Sequence, residues 1–469
     1  MDKAPLFDKK LTVAIAGAGG YVGRWFIDRY HDKYHLIGLS RKKVKSNPYP
    51  DVSWRQVELY SITSTVEALK GADVAIYLIH SMNTTTRLNQ GSFEDMDLLL
   101  ADNFSRAAEV AGVKQIIYLG GLIPDDPEKE LSRHLKSRLE VEETLGSRKS
   151  KLTALRASII VGPGGSSFEI IHKLVKRLPV MVCPKWTESL TQPIALENTL
   201  QIIDACIGNE KAFGKVYEIG SPEVMSYQEM LLRTAKALGK KRKIFSVPFF
   251  SLGLSKFWVG LFGDGPPQLV SPLVESLKHT LIVNPELKFD LAPIDYLTYE
   301  ESVTLALNPE SQPKKTIFFR KKGVKNTVRS IQRFKNLGRN SALWVANRYK
   351  LWLPEFLKSL IKSRSRNENE MGFYLFGTSK PLLQLTMIPD RSDHRRQLFY
   401  ITGGCLVKRY DYGWLEFREV LDGKYILTAI HEFVPRLPWV VYVYTQARLH
   451  LWVMNNFRKY LHGKLEKDS

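Results

Sequence analysis

The chain has 469 residues, more than one hydrophobic core usually serves, so two domains are expected and three are allowed. Hydrophobic residues make up 44% and charged residues 25%, ordinary values for globular protein, which argue against an intrinsically disordered chain. The net charge of +20 is not ordinary and points to a polyanion, a phosphate-bearing ligand or an anionic membrane surface as a partner. Cys183, Cys206 and Cys405 stand far apart, with no CxxC or Cys/His cluster, so a disulfide framework and a zinc site are not expected.

In chain order, the first segment reads strand, glycine turn, helix. Leu11 to Gly17 is an apolar run, and Val22, Phe26 and Tyr30 then follow helical spacing. Short strands are expected at His35 to Ser40, Val74 to Ile79, Lys114 to Gly121 and Thr153 to Gly162. Helices are expected between them, including a long one from Phe93 to Ala111 and another from Ser132 to Leu145. Such alternation implies a parallel sheet with right-handed crossovers. The pattern continues less regularly to Leu307, with Ser226 and Glu229 spaced as a capping box.

After Asn308 the composition changes. Between Lys314 and Arg366 sixteen Lys and Arg residues stand against one acid, Glu355. Val328, Ile331, Phe334 and Leu337 recur at threes, and Leu353, Phe356, Leu357, Leu360 and Ile361 follow helical spacing. Such stripes flanked by basic residues fit either an interfacial helix on anionic lipid or, for the second stripe, a helix packed on the following domain. No nucleic-acid module accompanies the charge, so a nucleic-acid partner is not expected. The remainder reads as strands in FYITGGCLVKRY, GWLEFREVLD and YILTAIHEFV, and a helix from Trp439 to Tyr460. The N-terminus lacks the apolar core of a secretory signal, and no run of about 18 apolar residues occurs. A reducing, cytoplasmic location is expected, with membrane contact confined to the periphery of the inner face.

GAGGYVG places Gly17, Gly20 and Gly23 between an apolar strand and a helix, the context that a dinucleotide-binding loop requires. Gly17 permits the tight turn, and Gly20 lets the backbone approach a pyrophosphate at the helix N-terminus. Gly23 lets helix and strand pack closely. An acid at the end of the second strand would bind the ribose 2′-hydroxyl of NAD. This chain has Ser40, Arg41, Lys42 and Lys43 there, which suit the 2′-phosphate of NADP(H) over NAD(H).

GAGGYVG, AIYLIHSM, QIIYLGGLIP, LSRHLKSRLEVEETL, LRASIIVGPGGSSFEII, RLPVMVCPKW and TQPIAL occur in this order. Together they resemble the atypical, NmrA-like branch of the extended short-chain dehydrogenase/reductase superfamily over Leu11 to Leu307. ITGGCL through HEFVPRLPW and QARLHLWVMNNF resembles a START-like helix-grip domain. The implied architecture is α/β, a Rossmann-type doubly wound parallel sheet followed by a smaller α+β helix-grip domain. Its expected divisions are an NAD(P)-binding domain over 1–307, a basic linker over 308–343 and the second domain over 344–469. Trp414, Phe417, Tyr425, Phe433, Trp439 and Trp452 are candidates either to line an apolar cavity there or simply to fill its core.

The resemblance places Gly17, Gly20, Tyr21, Val22 and Gly23 around the pyrophosphate, and Arg41 and Lys42 at the adenosine ribose. It puts Ile79, His80 and Ser81 at the end of a strand beneath the cofactor, and Leu119 and Gly120 at the end of the next. Catalytic members of the branch carry Tyr-x-x-x-Lys and a serine. At the matching positions this chain has His134 and Arg138, with Gly120 and Gly121 where the serine would stand. Histidine can act as an acid/base near neutral pH, and arginine can hydrogen-bond a ribose. Ser166 and Ser167 are expected to cap the next helix. Two functions follow from the resemblance. One is an NADPH-dependent oxidoreductase acting on a small carbonyl or apolar substrate; the other is a non-catalytic NADP(H) sensor or assembly factor, with lipid as a further partner and no metal.

Overall fold

The computed structural model describes residues 10–80, 86–124, 131–247, 275–308, 312–319, 325–357, 360–365, 367, 369–410 and 412–468. The chain divides into two units, Met1–Met82 with Leu100–Arg320, and Asn83–Leu99 with Lys321–Ser469.

The first unit is built on β1 (Thr12–Ala16), α1 (Tyr21–Tyr30), β2 (His35–Ser40), β3 (Val44–Ser46), β4 (Ser53–Gln56), α2 (Ile62–Leu69) and β5 (Val74–Tyr77). After β6 (Thr86–Gln90), which belongs to the second unit, come α3 (Phe93–Ala111), β7 (Gln115–Gly121), α4 (Arg133–Gly146), β8 (Lys151–Ala157) and α5 (Ser166–Arg177). Seven strands form a parallel sheet in the order Val216–Ile219, β8, β7, β5, β1, β2, β4. The chain winds outward from β1 in both directions, so the crevice at the carboxyl ends of β1 and β5 is the topological switch point.

The central strands β1 and β5 are apolar because both faces are covered. Val13 and Ile15 pack with Phe26 and Ile27, whereas Ala14 and Ala16 pack with Leu100 and Phe104 on the other side. One alternating strand thus feeds two cores. Helix α5 starts at Ser166 with Gly165 in the cap position and no side-chain cap, so neither Ser166 nor Ser167 caps it. Ser226 does cap its helix, accepting from the Glu229 amide at 3.1 Å.

The second unit is an eight-stranded sheet in the order Ile361–Arg364, Glu370–Leu375, Pro381–Met387, Arg396–Gly403, Trp414–Val420, Tyr425–Phe433, Lys325–Lys335, β6. Neighbours are antiparallel except the last pair, which is parallel. Helices Ala342–Phe356 and Gln446–Asp468 cover one face, where Tyr349, Trp352 and Phe457 meet Phe373 and Phe417.

Two expectations are corrected here. The stripe Val328, Ile331, Phe334 is a strand, not an interfacial helix. Val328 and Phe334 face the helix-covered core, whereas Ile331 is buried on the opposite side of the sheet, so a spacing of three arises from a strand covered on both faces. Two basic residues of this stretch are committed within the unit, Arg329 to Glu432 at 3.2 Å and Arg333 to Asp95 at 2.8 Å. The terminal helix breaks at Thr445, between Trp439–Tyr444 and Gln446–Asp468. Of the second stripe, Leu353 packs inward, Phe356 and Leu357 lie against the same core, Leu360 is exposed, and Ile361 opens a strand.

The six aromatic residues do not gather on one surface. Phe417 and Phe433 lie in the helix-covered core, Trp414 stacks on His431 at 4.7 Å, and Trp452 is 49% exposed. Tyr425 lies under Arg333 and Trp439 under Arg87. Among the described residues no helix is long and apolar enough to cross a membrane, and no cluster of side chains is arranged to hold a metal ion.

Candidate dinucleotide site

The loop after β1 turns on Gly17, whose φ is +97°, a conformation that disfavours a side chain. The Gly20 amide donates to the Gly17 carbonyl at 2.8 Å and closes the turn. A Cβ on Gly20 would lie 3.0 Å from that same oxygen, and one on Gly23 would lie 2.8 Å from the Ala18 Cα. Gly20 then takes the cap position of α1 without a side-chain cap, and the first turn of α1 contains no acid. The first amides of the helix therefore carry the positive end of the dipole with no side chain assigned to them. The loop is that of a Rossmann fold.

The side chains in this loop serve the scaffold. Val22 is buried in the core with Phe26. The Tyr21 ring lodges against the turn before α5, where a Cβ on Gly162 would come within 2.6 Å of its hydroxyl oxygen and one on Gly165 within 2.9 Å of the ring. Burial pushes the Tyr21 hydroxyl far above its usual pKa. Trp25 adds a hydrogen bond from its indole to the Pro163 carbonyl at 3.1 Å. Tyr21 and Val22 thus offer a ligand their backbone, and their side chains hold the helix in place.

At the end of β2 the Ser40 hydroxyl accepts from the Lys42 amide at 3.1 Å, and Gln56 donates to the Arg41 carbonyl at 3.2 Å. These bonds fix the turn, and both the Arg41 and Lys42 side chains are exposed. No acid stands between Leu36 and Pro50.

The opposite end of the crevice is built from side chains that hold one another. His134, in the first turn of α4, faces His80 with ring centroids 5.2 Å apart. Arg138, one turn on, donates to the Leu119 carbonyl at 2.5 Å and lies over the Tyr118 ring at 5.0 Å. The Tyr118 hydroxyl donates in return to the Arg138 carbonyl at 3.1 Å. Leu119 is buried, while Ile79 and Gly120 are partly exposed beyond and within the strands that end here. Gly121 faces α4, where a Cβ would meet Leu135 and Arg138 at ordinary contact distance. Ser81 lies outside the described residues.

Sequence reading missed Phe318 and Trp54. Phe318 comes from the far end of the unit, yet two of its ring carbons lie 3.5 Å from where a Cβ of Gly19 would be. It meets Trp54 edge-on at 5.2 Å. Nothing local marks Phe318, because its neighbours in space precede it by more than 260 positions.

The chain matches no family profile. Over 113 residues it is 29% identical to the auxiliary protein GraX of Staphylococcus aureus, a match spanning 24% of this chain and 37% of GraX. Over 298 residues it is 22% identical to a UDP-glucose 4-epimerase of Vibrio cholerae, spanning 58% of this chain and 90% of the epimerase. Among solved structures it is similar to an NADPH-dependent quinone oxidoreductase of Escherichia coli complexed with NADPH, with 19% identity and a TM-score of 0.48, covering 63% of this chain and 100% of that one. A nucleoside-diphosphate-sugar epimerase from Staphylococcus aureus gives 18% identity and a TM-score of 0.49, covering 62% and 99%.

Proposed function

We propose that the first unit binds NADP(H) in preference to NAD(H), and that the protein uses it to reduce a small carbonyl or other apolar substrate. The observation that carries this reading is the pairing of a glycine loop opening an uncapped helix with exposed Arg41 and Lys42 directly after β2. The amides at the start of α1 suit a pyrophosphate, and a guanidinium beside an ammonium suits a 2′-phosphate. The loop also fits the group sterically, since a side chain on Gly20 or Gly23 would crowd its backbone.

The bound coenzyme supplies the hydride. The chain's own residues orient and protonate. Arg138 fastens α4 to the end of β7 through the Leu119 carbonyl, which sets the position of His134 one turn earlier. His134 is the group of this helix suited to deliver a proton to a substrate oxygen, with His80 packed beside it. Calorimetric titration should give tighter binding for NADPH than for NADH, and Arg41→Glu should abolish the difference. Equal affinities in the unmutated protein would refute the preference.

One observation favours a second reading, a non-catalytic NADP(H) sensor or assembly factor. The Arg138 guanidinium is engaged with the Leu119 carbonyl and the Tyr118 ring, and Gly120 and Gly121 supply no hydroxyl. Turnover of NADPH over a panel of carbonyl compounds and quinones, lost in His134→Ala, supports the reductase. Tight NADPH binding without turnover of any of them supports the sensor.

A further inference from the structure

We infer that a strap formed by residues 316–319 competes with the adenosine end of the dinucleotide for its seat on the glycine loop; this rests on the reading of that loop as an NADP(H) site.

The strap is fastened directly beside the basic turn. Ile317 pairs with Ser46 and Phe318 with Val44 in a short antiparallel ladder on β3, and the Phe319 amide donates to the Lys43 carbonyl at 2.9 Å. This registration delivers the Phe318 ring to Gly19, with two ring carbons 3.5 Å from the Cβ position of that glycine. Trp54 backs the ring edge-on at 5.2 Å, and it is itself pressed so close to β2 that a Cβ on Gly38 would lie 2.6 Å from its ring. Phe318 therefore stands on the loop at the side of the basic turn. An adenosine bridging the α1 amides and the Arg41 and Lys42 side chains needs that same ground.

The seat is firm enough to be populated and weak enough to yield. Two paired residues make a marginal ladder, and an edge-on aromatic pair adds a modest contribution. Ile317 is 52% exposed and Phe319 50% exposed, so the strap contributes little to the core of the unit. A competitor of this kind lowers the apparent affinity for the coenzyme by the fraction of molecules in which the strap is seated.

The test titrates NADPH and adenosine 2′,5′-bisphosphate by calorimetry into the full-length protein, Phe318→Ala and Phe319→Pro. The first variant removes the ring, and the second removes the amide that donates to Lys43. Both positions are at least partly exposed, and two independent variants guard against a folding defect in one. Both should bind each ligand roughly five-fold tighter than the unmutated protein. Amide exchange in 312–319 of the unmutated protein should accelerate when NADPH saturates. Equal affinities in all three proteins, with strap exchange unchanged by NADPH, would overturn the competition and leave the NADP(H) site standing. Weaker binding by both variants would also overturn it, since Phe318 would then support the adenine. Absence of binding in all three would overturn the strap and the site together.

Discussion

The two sheets solve the problem of a buried interior in opposite ways. The parallel sheet keeps charge out of its central strands, where Val13, Ala14, Ile15, Ala16, Ile116 and Ile117 are fully buried, and confines its ion pairs, Arg156 with Glu142 and Glu218, to the side of β8 and Val216–Ile219. The antiparallel sheet packs one apolar face against its helices. Its strands also bury Glu416, Arg418 and His431 at 1% exposure or less. Glu416 accepts from Arg396 at 3.0 Å and from Arg418 at 2.8 Å, and the His431 imidazole lies 3.1 Å from its other oxygen. Burial alone would raise the Glu416 pKa, but the guanidinium groups of Arg418 and Arg396, with His431, outweigh it and hold the carboxylate well below its usual range. Apolar packing tolerates small errors of shape, whereas a buried ionic cluster tolerates no missing member. The first sheet should therefore yield gradually to substitution and the second abruptly.

The sharpest break comes at the centre of the cluster. Glu416→Ala strands two buried guanidinium groups and should destabilise the second unit by about 3–5 kcal/mol, read as the shift of its denaturant midpoint. A loss below about 1 kcal/mol would mean that water or rearrangement replaces the carboxylate, and the contrast between the sheets would fail.

Acid offers a milder probe of the same difference. Burial lowers the pKa of His450 to about 4, and it lowers that of His431 against the opposing pull of Glu416. A base whose folded pKa lies below its unfolded value binds its proton first in the unfolded chain. The stability it leaves intact above about pH 6.5 is therefore lost as pH falls toward the folded value. For His450 this window runs from about 6.5 to about 4 and is worth at most about 3 kcal/mol. Lower still, protonation of Glu416 removes a stabilisation that is fully present above its unfolded pKa. Melting curves between pH 7 and 4 should show the second unit yielding before the first, and simultaneous loss of both would contradict this. The smallest expected effect lies in the first sheet, where Ile15→Val should cost about 1 kcal/mol and leave NADPH binding unchanged. A cost several times larger would show the parallel sheet to be the more brittle of the two.

What could be read from sequence divides along the same line. The glycine loop, the basic turn after His35–Ser40 and the helix Phe93–Ala111 were legible because their signals are local: spacing, turn chemistry and period. The site's other determinants were not. The resemblance singled out His134 and Arg138, but the clasp between Arg138, Leu119 and Tyr118 depends on strand ends meeting a helix. Phe318 reaches Gly19 across the whole unit. Val328, Ile331 and Phe334 misled because a strand buried on both faces imitates helical spacing. The Glu416 cluster draws Arg396, Arg418 and His431 from three strands, and no window of sequence contains that geometry.

The strand Thr86–Gln90 has a consequence for how the protein is made. It leaves the ribosome early, yet its parallel partner Lys325–Lys335 begins 235 residues after it ends. At ordinary elongation rates of about 5–20 residues per second, it waits roughly 10–50 s with no ladder to join. Its sequence, TRLNQ, holds a single apolar residue, a composition that resists premature sheet formation during that delay. A shortened gene ending before Lys321 would never relieve the wait, and its product would keep the strand while lacking the sheet that accepts it.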